Sequence, residues 1–123
     1  MAGRRSWVPD RRDVIWIDCN PQAGREMRDV HPLLVLSLRA FNERTGIVIG
    51  LPMTTAPYNE TNPFAVRFNG ARAAVSYVLA HQPKSFDWRA RGARAHPWKQ
   101  APVEVFDRCR EALDQILGLA SAA

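Results

Sequence analysis

The chain has 123 residues, of which 46% are hydrophobic and 24% are charged. This composition excludes a disordered or collagen-like protein, and the length fits one domain, residues 1–123, with one hydrophobic core. The 17 Lys and Arg residues outnumber the 12 Asp and Glu residues, for a net charge of +5. Such an excess favours partners that carry phosphate or acidic groups, although a charge of this size also simply keeps a protein soluble.

Neither a membrane segment nor a secretion signal is evident in the sequence. No apolar run approaches the roughly 20 residues of a membrane helix, and no long apolar stretch follows the basic N-terminus. We therefore expect a cytoplasmic protein that does not bind membranes. Cys19 and Cys109 form no Cys-x-x-Cys pair and have no histidines at metal-ligand spacing, so we expect both to be reduced, with Cys109 in the core.

Short apolar runs separated by turn residues predict β-strands along most of the chain. Residues 14–17 are rich in β-branched and aromatic side chains and end at the turn sequence Asp18-Cys19-Asn20-Pro21. The other predicted strands are residues 33–37, 47–53, 64–68 and 77–79. Several short strands at this spacing predict a small antiparallel barrel or a strongly curled sheet.

The apolar residues near the C-terminus recur with the period of a helix. Pro102, a residue that suits the first turn of a helix, precedes this stretch. One predicted helical stripe contains Val103, Phe106, Cys109, Leu113, Ile116, Leu117 and Ala120. We expect this helix to pack on the barrel, and we expect a short helical turn at residues 39–44.

A polar segment at residues 24–32 is the predicted working edge of the barrel, and we expect it to be a loop. It carries Glu26, Arg25, Arg28 and His31. An acid, two arginines and a histidine are the groups needed to bind a phosphate and to move a proton near neutral pH. The alternative interpretation is an ordinary charged surface loop.

Two further polar segments, residues 53–55 and 81–85, lie beside predicted strands. Thr54 and Thr55 could donate hydrogen bonds to a phosphate oxygen, although threonine is also an ordinary strand residue. His81 follows a strand and is either a functional group or a hydrogen-bonded structural residue. His96 is assigned to a loop beside Pro97 and Trp98.

The histidines are scattered, without carboxylates at ligand spacing. This argues against a metal site. Nothing in the sequence resembles a phosphate-binding glycine loop, a nucleophile elbow or a zinc deaminase motif. We therefore expect neither a metal nor a cofactor.

Several short motifs follow one another in a fixed order between residues 9 and 117. They are Pro9-Asp10, Asp13-Val14-x-Trp16-x-Asp18-x-Asn20-Pro21, Gly24-x-Glu26, Pro32-x-Leu34-Val35-Leu36-Ser37, Phe41-Asn42 with Thr45-Gly46, Pro52-x-Thr54-Thr55, Pro63-Phe64-x-Val66, and Gln82-x-Lys84-Ser85-x-Asp87-Trp88-Arg89-Ala90-Arg91. Together they resemble the PemK/MazF toxins of bacterial type II toxin–antitoxin systems.

The resemblance implies a mostly β fold, a small SH3-like barrel with a C-terminal helix, that forms a homodimer. It also implies metal-independent cleavage of single-stranded RNA, often at a short preferred sequence. The implied second partner is a cognate antitoxin, whose apolar and acidic segment would block the RNA groove.

In the mechanism that the resemblance implies, the ribose 2′-hydroxyl attacks the adjacent phosphate and leaves a cyclic phosphate and a 5′-hydroxyl. This step needs a proton acceptor, a proton donor and positive charge or hydrogen bonds at the phosphate. Thr54 matches the family threonine, and Glu26 matches the glutamate of the family's Gly-x-Glu-Gln stretch. His31 stands where many members have an arginine.

A second departure from the family pattern lies before Gln82. Some relatives have Arg-x-Asp there, whereas this chain has Leu79 and His81. We hypothesise that His31 and His81 lie close together at the barrel edge and share the acid and base roles. Arg25 or Arg28 would then supply charge and Thr54 a hydrogen bond.

Thr55, Gln82 and Lys84 complete the expected RNA contacts. The competing hypothesis is a weakly active or inactive family member. Such a protein would act as a binding module for the antitoxin, for RNA or for a topoisomerase.

Overall fold

The computed structural model describes residues 7–20, 29–70 and 74–119. Within these ranges the strands are β1 (Asp13–Asp18), β2 (Val30–Val35), β3 (Ile47–Thr54), β4 (Ala65–Asn69), β5 (Val75–Leu79), β6 (Lys84–Asp87) and β7 (Arg94–Gln100). The helices are α1 (Arg39–Thr45), α2 (Val103–Leu117) and a 3₁₀ helix (Pro57–Thr61). This confirms the predicted mostly β fold with a C-terminal helix. Across the described ranges, no helix is both long and apolar enough to span a membrane.

The strands form one antiparallel sheet in the order β4-β5-β3-β2-β1-β7. β3 is its central strand because it pairs with three others, β2, β5 and β6. β2 lies along one edge, where Leu33 pairs with Pro52. The other edge pairs first with β6, where Lys84 faces Gly50, and then with β5, where Val78 faces Met53.

The partner chain along this second edge of β3 is interrupted between β5 and β6. It advances six residues from Val78 to Lys84, while the facing positions on β3 change by only three, from Met53 to Gly50. Three residues therefore protrude from the pairing. The protruding turn is residues 81–83, and it carries His81 and Gln82.

Two clusters of buried side chains pack on opposite faces of the sheet. Because side chains alternate along a strand, the neighbours Val14 and Ile15 belong to different clusters. The Val14 cluster also receives Phe106 and Cys109 of α2, which packs on β4. The two clusters together explain how a chain of this length supports a cooperative core.

The C-terminal helix is confirmed, but only the part of the predicted stripe around Phe106 and Cys109 is buried. Phe106 and Cys109 are buried as predicted, and Val105 joins them. Val103, Ile116 and Leu117 are 52%, 42% and 51% exposed, which contradicts the prediction. Residues 105–109 pack on the sheet. The helical period of the apolar residues does not reveal how far along the helix this packing continues. Ala120 lies outside the described residues.

Two strands, β6 and β7, were not predicted. Residues 84–85 were assigned to a polar segment and His96 to a loop, but these residues lie in β6 and β7. β7 is polar and contains Pro97, so its sequence lacks the apolar alternation of a half-buried strand. Its pairing with β1 is also irregular, with a shift of register between Asp13 and Ile15. The other strand boundaries differ by a few residues.

At β2 the prediction also erred, because the strand starts at Val30 and includes the end of the predicted loop. β2 ends at Val35, before Ser37. Phe64 precedes β4 and is 44% exposed.

The two end strands of the sheet meet through side chains. The ring of Trp98 on β7 stacks on that of Phe68 on β4, with centroids 5.1 Å apart and planes 17° apart. A Cβ at Gly70 would lie 2.2 Å from the Trp98 ring, so the close approach requires glycine there. We call this contact of Phe68, Gly70 and Trp98 the seam.

Asn42 of α1 ties the N-terminal segment to the sheet. Its side chain is fully buried, and its amide donates to the carbonyls of Pro9 at 2.8 Å and Ser37 at 3.1 Å. The main-chain carbonyl of Asn42 accepts a hydrogen bond from the indole N–H of Trp88 at 2.7 Å. The Asn42 amide thus satisfies backbone groups that burial separates from water.

Replacing Asn42 by alanine would leave the Pro9 and Ser37 carbonyls without these donors. We expect Asn42→Ala to lower the free energy of unfolding by about 2 to 4 kcal/mol. Urea denaturation measures this change. The matched control is Asn69→Ala at an exposed position of β4, and equal losses in both variants would contradict the assigned role.

Candidate active site

The register of β2 and β3 brings His31 level with Thr54. His31 pairs with Ile17 on one side. On the other side Leu33 pairs with Pro52, and continuing this register by two residues on each strand places His31 opposite Thr54. Directly opposite residues share one face of a sheet, with Cβ atoms about 5 Å apart. Both side chains are partly exposed, so they can reach the same phosphate group.

The hydroxyl of Thr54 is oriented by the turn that follows β3. Its Oγ1 accepts a hydrogen bond from the Ala56 N–H at 3.2 Å. A hydroxyl that accepts in this way still has its own proton to donate. Thr55, which was predicted to contact RNA, is exposed just beyond the end of β3.

His81 lies in the protruding turn, packed against other side chains. Its ring centroid is 5.6 Å from that of Phe64, and its Nε2 lies 3.2 Å from Nε2 of Gln82. Nδ1 is buried and has no hydrogen-bond partner in the described part of the chain.

The structure does not bring His31 and His81 together. His81 protrudes near the level of Gly50, whereas the continued register puts His31 level with Thr54, four residues or about 13 Å further along β3. The two histidines also lie on opposite edges of β3. The protrusion of residues 81–83 accounts for this separation, and the alternation of apolar residues along the chain does not predict it.

Of the other predicted contacts, the structure describes Lys84 and Gln82. Lys84 is partly buried on β6, and Gln82 is exposed beside His81. Arg25, Glu26 and Arg28 lie outside the described residues.

Three arginines of residues 89–94 lie over aromatic rings. The guanidinium carbons of Arg89, Arg91 and Arg94 lie 4.2, 5.1 and 6.0 Å from the ring centroids of Trp88, Phe86 and Trp16. Arg91 also donates to the carbonyl of Asp18 at 3.0 Å and to that of Asn20. Stacking holds a guanidinium in place while it keeps its charge. The basic excess seen in the sequence is therefore partly ordered.

A polar cluster lies beside Thr54 that sequence reasoning missed. Tyr77 pairs directly with Thr54 on one side and with Arg67 on the other. The Tyr77 hydroxyl donates to Glu60 of the 3₁₀ helix, and this hydrogen bond raises the pKa of Tyr77. Arg67 forms an ion pair with Glu60 at 3.2 Å. The sequence separates these residues too widely to suggest their contact.

Neither cysteine has the environment of a nucleophile. Both are free and buried, which agrees with the expectation for Cys109. Burial raises the pKa of Cys109 to about 12. Burial likewise raises the pKa of Cys19, although the nearby Arg91 opposes this. Thiolates, the reactive form, are thus disfavoured at both positions.

A search of the described ranges finds no group of three or more His, Cys, Asp or Glu residues that could hold a metal ion.

Comparison with known proteins identifies the family of this chain. A family model described as PemK-like, MazF-like toxin of type II toxin–antitoxin system matches residues 10–117. The chain belongs to the PemK/MazF toxin family. It is 40% identical to the endoribonuclease toxin MazF of Escherichia coli K12 over 87 residues, which are 71% of this chain and 76% of that relative.

Solved structures of PemK/MazF proteins have the same fold. The crystal structure of MazF from Deinococcus radiodurans matches with a TM-score of 0.82 and 34% identity, over 93% of this chain and all of that one (100%). A MazE–MazF structure from the same organism matches with a TM-score of 0.80 and 34% identity, over 94% and 100% of the two chains. These matches confirm the recognised family and the predicted SH3-like barrel.

Both departures from the PemK/MazF pattern occupy defined places in the sheet. His31, in place of the arginine, is on β2 at the level of Thr54. Leu79, in place of the other arginine, is a buried residue of β5 with 7% exposure. The first departure changes the chemistry available at the site, whereas the second replaces a charge with core packing.

His96 is a structural residue of β7. It is buried, and its ring lies between those of Trp16 and Trp98, with centroids 4.4 and 4.7 Å away. Its Nδ1 accepts a hydrogen bond from the Trp98 N–H at 3.0 Å. Burial lowers the pKa of His96 from 6.5 because it disfavours the charged imidazolium.

This lowered pKa predicts a loss of stability in mild acid. Below about pH 6.5 the unfolded chain binds a proton at His96 that the folded chain does not, so the free energy of unfolding falls as the pH falls toward the folded pKa. We expect this slope in urea denaturation between about pH 7 and pH 5. His96→Asn, which keeps an acceptor for the Trp98 N–H but does not titrate, should flatten the slope. An unchanged slope in that variant would contradict the assignment.

Proposed function

We propose that this chain is the toxin of a type II toxin–antitoxin system and an endoribonuclease that cleaves single-stranded RNA without a metal ion in the cytoplasm. Membership of the PemK/MazF family supports the proposal, as does the E. coli relative that is named an endoribonuclease toxin. The observation that supports it is the β2–β3 register, in which Leu33 pairs with Pro52. Continued by two residues on each strand, this register would bring the imidazole of His31 opposite the hydroxyl of Thr54.

In the proposed reaction, the 2′-hydroxyl of a ribose loses its proton and attacks the adjacent phosphorus. The bond to the 5′-oxygen of the next nucleotide breaks, and that oxygen takes up a proton. The products are a 2′,3′-cyclic phosphate and a 5′-hydroxyl end. No oxidant, reductant or external nucleophile is needed, so two proton transfers and stabilisation of the phosphorane account for the chemistry.

His31 and Glu26 are the proposed proton-transfer groups, one accepting the 2′-hydroxyl proton and the other donating to the 5′-oxygen. The Thr54 hydroxyl, which accepts from the Ala56 N–H and keeps its own proton, would donate to a non-bridging phosphate oxygen. Arg25 and Arg28 would supply the charge that a family arginine gives elsewhere. His81 was assigned a catalytic role from the sequence, but its contact with Gln82 and its distance from Thr54 favour a place in the RNA groove.

Thr55, Gln82 and Lys84 are the other proposed RNA contacts. Gln82 lies in the protruding turn, Lys84 directly follows it, and Thr55 follows Thr54. RNA that crosses the sheet face would meet both groups along β3.

The proposed protein partners are a second copy of this chain and an antitoxin. A MazE–MazF structure from D. radiodurans is the model for the antitoxin complex. The net charge of +5 suits both RNA and an acidic antitoxin segment.

A second candidate function is binding with little or no cleavage, in which the chain holds antitoxin, RNA or a topoisomerase. Two substitutions favour it: His31 lacks the permanent charge and fork of arginine, and Leu79 is committed to the core.

Replacement of His31 separates these functions. We expect His31→Ala to lower kcat on single-stranded RNA by at least about 100-fold, because general acid–base catalysis contributes that much. A fluorogenic RNA assay measures the loss. His31→Arg restores the common family residue and should retain cleavage if positive charge at this position is sufficient.

The control for this test is Arg108→Ala, an exposed residue of α2 far from β2. Cleavage by His31→Ala at the rate of this control would rule out the catalytic role of His31.

Metal independence has its own test. We expect cleavage to continue at an unchanged rate in excess EDTA and to yield 5′-hydroxyl ends with cyclic or 3′-phosphate partners, since the attacking group belongs to the RNA. End-labelling and mass spectrometry identify the ends. Loss of cleavage in EDTA with recovery on adding Mg²⁺, or the appearance of 5′-phosphate ends, would contradict the mechanism.

A further inference from the structure

The carboxylate of Glu60 is bound by two side chains of the sheet and remains exposed to solvent. The buried Tyr77 donates its hydroxyl proton to one oxygen of Glu60, and Arg67 Nη1 lies 3.2 Å from the other. The side chains of Glu60 and Arg67 are 54% and 52% exposed. A solvent-facing carboxylate held by two side chains is more ordered than an ordinary surface glutamate.

This carboxylate is close to the proposed cleavage position. Thr54, Tyr77 and Arg67 form one cross-strand row over β3, β5 and β4. Neighbouring strands are about 5 Å apart, so the row extends about 10 Å from Thr54. RNA whose scissile phosphate contacts Thr54 would place a nearby nucleotide over Glu60.

The acceptor pattern of Glu60 selects among the bases. A carboxylate offers about four lone-pair sites, and Tyr77 and Arg67 use one on each oxygen. Guanine presents two adjacent donors, N1–H and the N2 amino group, on its Watson–Crick edge. The other bases place an acceptor beside each donor there, which a carboxylate would repel. Unpaired bases in single-stranded RNA expose this edge.

We propose that Glu60 is a specificity-determining residue that binds guanine next to the cleavage position, with Tyr77 as the residue that positions it. This inference rests on the proposed nuclease function. Arg67 completes the subsite, because its exposed guanidinium can meet the phosphate of the bound nucleotide.

The experiment compares guanosine with inosine, which lacks only the N2 amino group. Cleavage sites of the unmodified protein are first mapped on a random RNA library by sequencing the 5′-hydroxyl ends. Two synthetic RNAs are then made, with guanosine or inosine at the preferred position. We expect kcat/KM to be about tenfold higher for the guanosine RNA, because one lost hydrogen bond at a paired contact has that effect.

Variants assign this preference to Glu60. In Glu60→Gln the guanosine-to-inosine ratio should fall toward one, and in Tyr77→Phe it should fall part of the way. The matched control is Glu104→Gln, at an exposed position of α2, which should keep the parent ratio. A merely structural effect would lower kcat/KM on both RNAs equally and leave the ratio intact.

The outcomes distinguish this inference from the proposed function. If the parent protein cleaves RNA without preferring guanosine, or if Glu60→Gln keeps the parent ratio, the guanine subsite is wrong and the nuclease function stands. If the parent cleaves no RNA, both fail. Thermal unfolding checks each variant, and Glu60→Asp, which shortens the side chain and keeps its charge, repeats the test should Glu60→Gln not fold.

Discussion

The pairing of β3 on both edges is the constraint on which the rest of the structure depends. β2 on one side and β6 and β5 on the other take their register from it. A slip of one residue in any of these pairings would turn buried side chains such as Leu34, Leu51 and Val78 toward the opposite face. The two apolar clusters therefore fix the register, and the register in turn sets His31 level with Thr54. In this fold the packing of the core therefore also determines the geometry of the candidate site.

The site combines a rigid part with groups that vary between relatives. Thr54 and Tyr77 are strand residues whose positions follow from the ladder. Of the residues that depart from the family pattern, His31 and Leu79 also lie on strands, whereas His81 lies in the protruding turn. Glu60 differs because it enters from the 3₁₀ helix between β3 and β4, a connection whose sequence can change at little cost to the core.

Much of the fold could be predicted from the sequence because the central strands carry strong local signals. Residues 14–17 and 47–53 are apolar, β-branched and bounded by turns, and they form β1 and β3. β7 could not be predicted, since its polar residues, Pro97 and irregular register follow from its place at the edge of the sheet. The helical period of α2 identified the helix, but exposure of Ile116 depends on where the sheet ends.

The family motifs predict which residues belong to the candidate site, but they do not predict how those residues are arranged. His31 and Thr54 come from such motifs, whereas their mutual position comes from the β2–β3 register. The separation of His81 from His31 results from three residues that protrude between β5 and β6, which no periodicity reveals. The contact of Tyr77 with Glu60 spans a turn and a strand, and tertiary folding alone creates it.

The seam has a consequence for how the protein behaves at high concentration. β4 and β7 are end strands of the sheet, and unpaired strand edges are templates for pairing with other chains. The stack of Trp98 on Phe68 brings these two edges together, and Gly70 lets the indole come close enough to cover them. One aromatic ring thus contributes to solubility as well as to packing.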